Sequence, residues 1–534
     1  MENSEVRLKS GVLSLIPKTG VIGYQNAKHL LNRCLFGARH TEIQFMQTKS
    51  AEEALDFLLA EPVEQLAPPL SISESDTEVA IGETWVNLIY NSDFKEPRQT
   101  SYTRWWLGRL LNQDLSLKEK MGLFWHNHFV IEKDVVSNVN FNYQYSNLLY
   151  NQALGNFKTL TEEITLNAGM LKYLNGAENV SGKPNENYAR ELFELFTIGK
   201  GPLVSEGNYT NYTELDIREA AKVLTGWRTS NTNNASYFDL LKHDKTTKVF
   251  SDLFEFQTIV NNGENEYKDL INMIFAKKET ARYLIRKLYR WFVYYRIDDN
   301  IESQIIEPLA TLFVENNFEI KPVLKKLLSS EHFFDENFRG CTIKNPLEFT
   351  VGMLRQLEYK DPGSENLIAQ YGMWYWIYEQ AKQQTLRLAN PPDVAGWPAW
   401  YLAPAFNQLW INSVTVPYKS AYVVSVIKSG VRPVSGFEKQ YIDTFKVAYL
   451  ANKPEDINDL ISTLTNLLFP LPATTEQIAE LKDTLIPGLP DFEWTVEWNK
   501  YVNDPGNANQ KNAVANMLKN LLIKICSLAE YQLI

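Results

Sequence analysis

The sequence predicts an all-α, mainly helical protein: a large multi-helix body with long structured loops and at most a small hairpin. Three observations carry that expectation. Apolar residues recur at helical spacing along most of the chain, as in Ala27, Leu30, Leu31 and Cys34. Helix-start signatures, a Ser or Thr followed three residues later by an acid, stand in front of several such stretches. The segments between them are rich in Pro, Gly and Asn and have no period of their own.

Tyr24 to Leu35 is the first periodic stretch, and Gly37 stops it. Thr41 and Ser50 each precede a short periodic segment, and Ser50 with Glu53 spells a capping box. Residues 64–80 are polar, Pro-containing and aperiodic, hence a loop. Ser116 and Glu119 spell a second capping box, opening a helix toward Phe124-Trp125-His126. Residues 139–175 read as two helices, broken near Gly155 and ending at Gly176. Thr213 with Asp216 caps LDIREAAKVLTGW, while 228–265 has no clean period and suits a long loop or small hairpin. Helical periodicity resumes over 278–297 and 302–330, and Asn345-Pro346 with Glu348 starts a further helix. Residues 388–404, LANPPDVAGWPAWYLAP, form a structured loop, and 405–534 is helical with short acidic connectors. The expected division is an extension over 1–23, a helical domain over 24–415, and a helical region over 416–534 packed on it.

Bulk properties remove several function classes. A chain of 534 residues that is 44% hydrophobic is long and apolar enough for a thick core. Its net charge of −11, with both signs interspersed, lacks the basic stripe that nucleic-acid binding requires. No run approaches the roughly 18 apolar residues needed to span a bilayer, so no transmembrane segment is expected. Cys34, Cys341 and Cys526 are far apart and odd in number, which disfavours a disulfide framework or a cysteine-based zinc site. The first twenty residues have no basic start followed by an apolar stretch. The expected compartment is cytoplasmic by default, with a periplasmic or extracellular mature form or co-exported chain as the alternative. No P-loop, dinucleotide-binding glycine pattern, GxSxG elbow or HExxH stands in the sequence.

Several segments together resemble the bacterial family called "domain of unknown function 1800". They are HLLNRCLFGAR (29–39), FWHNHFV (124–130), LGNFKTLTEEITLNAGMLKYLNG (154–176), GKPNENYARELFELFTIG (182–199), YTELDIREAAKVLTGWR (212–228) and NPPDVAGWPAW (390–400), with ARYLIRKLYRWFV (281–293) and SSEHFF (329–334) in agreement. The likeness covers roughly residues 25–415 in order. It implies a mainly helical bacterial protein, a gene neighbour in the "domain of unknown function 1501" family, and a link to extracellular polysaccharide. It assigns no catalytic residue.

The candidate chemistry gathers in four places. His126 and His128 suit a metal if the chain there is extended; on a continuous helix they diverge by about 200° and cannot share one ion. In PNENYARELFELFTIG, Asn185 or Asn187 can cap a helix that Gly199 closes, and Glu186 with Arg190 is a favourable i,i+4 pair. Glu191 and Glu194 could share one side and face a metal or an arginine; alternatively Arg190, Glu194 and Thr197 form a solvated stripe. Arg218 on the next helix could neutralise either carboxylate, whereas Asp216 is explained by capping. His243-Asp244 could supply a ligand or a proton shuttle. Trp125 adjoins the histidine pair, and Trp397 and Trp400 could line a pocket or pack beneath it.

Two readings follow. In one, the protein is an enzyme with a His/Glu metal or acid–base centre acting on carbohydrate or cell-envelope material. Glu191, Glu194, His243 and Asp244 are then catalytic, and His126, His128 and Glu186 hold a divalent metal. In the other, it is a helical binding or accessory protein for a family-1501 partner or a glycan.

Overall fold

The first helix, Gly23–Cys34, buries Ala27, Leu30, Leu31 and Cys34 on one face, as their spacing predicts. The computed structural model describes residues 11–62 and 67–534. The loop expected over 64–80 is irregular from Ala67 onward, and residues 64–66 lie outside the described residues. Ser50 caps the Ala51–Leu58 helix: its hydroxyl accepts from the Glu53 N–H, and the Glu53 carboxylate accepts from the Ser50 N–H. Asn345 and Glu348 make the same reciprocal cap on Pro346–Gln356, with Pro346 in the first turn, where a missing N–H costs nothing. Residues 139–175 hold three helices rather than two: Val139–Asn151, Phe157–Thr165 and Ala168–Tyr173. Asn156 and Asn167 each begin a new one by accepting from two backbone N–H groups.

Two expectations need correction. Among the described residues there are three two-stranded antiparallel pairs, not one hairpin: Leu203–Ser205 with Asn208–Tyr209, Trp227–Ser230 with Ala235–Phe238, and Lys248–Val249 with Thr258–Ile259. The fold is mainly helical rather than strictly all-α. The Ser116–Glu119 capping box also does not form. The helix begins at Lys118, and Arg109 takes the Glu119 carboxylate through two bonds of 3.0 and 3.1 Å. A charged two-point partner is stronger than one backbone N–H.

The buried apolar residues make one cluster running from Ile22 to Tyr531, continuous across residue 415. The C-terminal helices close onto the start of the chain. Lys28 on the first helix donates to the carbonyls of Asn466 and Phe469, at 2.7 and 2.6 Å. Trp376 stacks on Tyr422, and the Tyr531 hydroxyl meets Gln356. Residues 14–18 lie along 329–332 through three backbone hydrogen bonds, from Lys18 to Ser329, Glu331 to Ile16 and His332 to Ser14, with Pro17 bridged to Ser330. Where the loop after the first helix crosses Pro346–Gln356, backbone touches backbone. Gly37 has φ +82, and a Cβ there would lie 2.5 Å from the Gly352 Cα.

Gly37→Ala is therefore expected to cost about 2 kcal/mol or more, since both the clash and the left-handed backbone act against it. A urea titration checks this through a lower midpoint at an unchanged slope. A second expectation concerns pH. Burial, aided at Lys28 by Arg339, pushes Lys28 and Lys344 down to about 7, and burial pushes Lys419 down to about 8. Burial likewise holds His29 and His128 well below the ordinary histidine value and His126 at about 3. For all six the unfolded chain binds more protons below its ordinary value, so stability rises with pH until that value is passed. Buried Tyr102 and Tyr188, raised by burial, keep their protons in the fold and reverse the trend once free tyrosine ionises. The urea midpoint is expected to climb from roughly pH 6 to roughly pH 9.5 and to fall beyond roughly pH 10.5.

Candidate functional site

The segment entered through Pro184 begins as the α-helix Asn187–Glu191 and continues as a π-helix, Leu192–Thr197. Asn185 starts it by accepting from the Asn187 N–H, and Gly199, at φ +69, ends it, as the sequence suggests. The π-turn is the unforeseen part. The N–H groups of Ile198 and Gly199 both return to the Phe193 carbonyl, rather than to Glu194 and Leu195. Two consequences follow. Glu194 and Thr197 turn inward and are buried, so the solvated Arg190/Glu194/Thr197 stripe does not exist. The carbonyls of Leu195 and Phe196 are left free for side chains from other helices.

Glu194 is fully partnered, by the Tyr212 hydroxyl, by Lys200 at 2.8 Å and by Arg190 at 3.7 Å. Arg218 is exposed and neutralises neither carboxylate; Arg190 and Lys200 do so instead. Glu186 lies in an ion-pair chain with Arg190 and Glu214. Glu191 differs. It is half-buried with no hydrogen-bond or ion-pair partner among the described residues, and burial together with Glu194 pushes its carboxyl up to about 7.

Lys118–His128 is one uninterrupted helix, so His126 and His128 diverge. His126 packs against Trp106 and Trp397, with Nδ1 on the Tyr145 hydroxyl at 3.0 Å. His128 turns the other way, with Nε2 on the Phe196 carbonyl at 2.9 Å and Nδ1 on Lys287 Nζ at 3.0 Å. The metal set His126, His128 and Glu186 is thus not assembled. Among the described residues no three His, Cys, Asp or Glu side chains stand close enough to hold an ion.

What the π-turn and this helix end do build is a cleft of about 250 Å³. Asn127 and His128 form one wall, Tyr283, Lys287 and Arg290 of the Lys278–Phe292 helix another, and Trp400 with Tyr401 a third. Lys287 is half-buried there. Its Nζ meets His128 Nδ1 and the freed Leu195 carbonyl, at 3.0 and 3.1 Å, over the Tyr283 ring. The Tyr283 hydroxyl donates to the same carbonyl. Among the described residues no carboxylate pairs with Lys287, and burial with the charge of Arg290 pushes the amine down to about 7. The 388–404 loop is hung on Asn127, whose Oδ1 accepts from the Trp397 N–H at 2.9 Å. Gly396, at φ +96, passes so close that a Cβ would lie 2.2 Å from that oxygen.

The remaining candidates fall elsewhere. Trp400 lines the cleft, whereas Trp397 packs under the loop. Trp125 is a core residue stacked on Phe129 and Phe157, with its indole N–H on the Ala153 carbonyl. Asn185 and Asn187 shape the helix entry. His243 lies in a closed cluster, with Nε2 on Glu266 at 2.8 Å and Lys248 on the other Glu266 oxygen at 2.6 Å. Asp244 is occupied by Thr246. Asp216 accepts from Thr213 and Ser251, which accounts for it structurally. Sequence reasoning missed Lys287, Tyr283 and Arg290. The legible signal was five cations, Lys278, Arg282, Arg286, Lys287 and Arg290, on a helix with Glu279 as its only acid.

Since His126 and His128 face apart, elemental analysis of the purified protein and of a His126→Ala, His128→Ala double variant is expected to give the same metal content. A metal lost with the two histidines would overturn that arrangement.

No curated protein and no solved structure matches the chain at a significant level. Among the described residues no helix is long and apolar enough to cross a membrane. A family model described as "Protein of unknown function (DUF1800)" matches residues 29–532, running well past the likeness read from the sequence and through nearly all of the C-terminal helices. With almost its whole length so matched, the chain belongs to the DUF1800 family.

Proposed function

We propose that the cleft is the working site of an enzyme that moves protons on a small bound molecule, with Lys287 as the acid–base group. One observation carries the reading. A half-buried lysine on the wall of the cleft is held by a histidine nitrogen and a main-chain carbonyl and, among the described residues, is paired with no carboxylate. An isolated buried charge is costly, and of the lysines that burial pushes to about 7, Lys28 and Lys344 are closed in the core whereas Lys287 lines the cleft. A lysine tuned toward neutral pH serves as a general base when neutral and a general acid when charged. Glu191, four residues before Leu195 on the adjoining helix, titrates in the same range and is the second candidate. Carbohydrate or other cell-envelope material is the substrate class that the family resemblance implies; the aromatic wall of Trp400 and Tyr401 is compatible with a ring lying against it.

A second reading has its own support. Tyr401, Leu402, Val414, Val416 and Tyr418, following the cleft loop, are all exposed. Such a concentration of exposed apolar residues suits an accessory protein that docks a partner, the family-1501 neighbour being the one the resemblance offers.

Competitive acetylation of the intact chain across pH, followed by mass spectrometry of the Lys287 peptide, tests the first reading. The expected midpoint is about 7, against 10.5 for an ordinary lysine. A midpoint in the ordinary range removes Lys287 from acid–base chemistry at neutral pH and leaves the accessory reading standing.

A further inference from the structure

A neutral amine has two N–H groups and one lone pair. Lys287 gives one N–H to His128 Nδ1 and the other to the Leu195 carbonyl. Those bonds and Cε fill three of the four tetrahedral directions on nitrogen. The fourth belongs to the lone pair, on a side chain that lines the cleft. His128 is suited to its part: with its Nε2–H donated to the Phe196 carbonyl, Nδ1 is the accepting nitrogen.

Arg290 lines the same cleft one helical turn on, where side chains three residues apart are neighbours. Its Nε donates to the Tyr295 carbonyl at 3.2 Å, and no carboxylate among the described residues pairs with its guanidinium. The adjacent Arg286 is the contrast, being taken by Glu279 and Glu302. The cleft wall therefore carries, one helical turn apart, an amine and a guanidinium that lies 6.0 Å from the Phe406 ring and pairs with no carboxylate among the described residues, a fork shaped to bind a carboxylate at two points. An amine beside a second cation is a recognised arrangement for attack on a carbonyl.

Building on the reading of Lys287 as the reactive group, we infer that Lys287 condenses with the carbonyl carbon of a small 2-oxo acid whose carboxylate Arg290 holds. The nitrogen lone pair forms the C–N bond as the C=O π pair moves onto oxygen, and the proton lost from nitrogen ends on that oxygen. The hydroxyl then leaves as water with one further proton from solvent, while nitrogen forms the C=N bond. Amine, carbonyl and one proton give a protonated imine and one water, with no change of oxidation state. The imine keeps a single N–H, which the Leu195 carbonyl accepts. That carbonyl belongs to the last turn of its helix, the end that favours positive charge.

The test is reductive trapping on the full chain. Protein is incubated at pH 7 with pyruvate and cyanoborohydride, and separately with acetone, which has the carbonyl but no carboxylate. The modified lysines are located by peptide mass spectrometry. With pyruvate, Lys287 is expected to be labelled on the order of 10²-fold faster than the average lysine, as its larger neutral fraction allows. Arg290→Gln is expected to slow both adducts as the amine loses the neighbouring charge, and to slow the pyruvate adduct about tenfold more than the acetone adduct. Labelling spread over surface lysines overturns the inference, and the wild type alone decides this, without relying on a variant that must fold. Equal trapping of both probes, or equal slowing of both by Arg290→Gln, overturns the oxo-acid assignment. Absence of an adduct while the acetylation midpoint stays near 7 removes the imine and leaves the acid–base reading intact. A midpoint in the ordinary lysine range removes both.

Discussion

The Lys118–His128 helix is buried along its whole length, and much of the molecule follows from that constraint. Such a helix has no solvated face on which to place charge, so each polar head must find a partner inside. Lys118 reaches Glu61, Glu119 takes Arg109, Lys120 takes Glu348, His126 meets Tyr145, Asn127 holds the Trp397 N–H, and His128 bonds Phe196 and Lys287. These partners come from seven different parts of the chain. Removing one side of a buried pair costs about 3–5 kcal/mol, so the helix fixes its neighbours as firmly as they fix it.

The cleft is the point where that requirement meets a second irregular element. His128 needs an acceptor at the helix end, and the π-turn of Leu192–Thr197 supplies one because its carbonyls are not consumed by regular α-helical bonds. The neighbouring carbonyl then positions Lys287 and Tyr283. Neither helix alone makes a site. The distinctive segment after Pro184 therefore matters less through its own carboxylates than through the backbone it leaves open. Glu194 is spent on Tyr212 and Lys200, and Glu191 has no partner among the described residues.

Much of the fold was legible in the sequence because caps and periodicity are local properties. Ser50/Glu53, Asn345/Glu348, Thr213/Asp216 and the stripe of Gly23–Cys34 all read correctly. The site was legible only in part. Asn127, His128 and Trp400 fell inside segments already marked, whereas Lys287 looked like an ordinary polar position on an amphipathic helix. Its significance depends on two acceptors roughly 90 and 160 residues away in sequence, at Leu195 and His128. The solvated stripe failed for a different reason. A helical wheel assumes a constant turn, and one π-turn rotates everything after it. Arg218 failed by competition, since Arg190 and Lys200 are nearer in the chain to the same carboxylate.

The contact of Gly37 with Gly352 gives the core a fixed dimension. Contacts between side chains can be retuned a methylene at a time, widening or narrowing as sequences drift. Two backbones in touch have one spacing, set by van der Waals radii. Arg355, three residues on, donates to the Gly37 carbonyl and to those of Leu111 and Gln113, carrying that spacing to the end of the Lys95–Leu111 helix. Around this one incompressible point, neighbouring layers can change their side chains and still meet at the same distance.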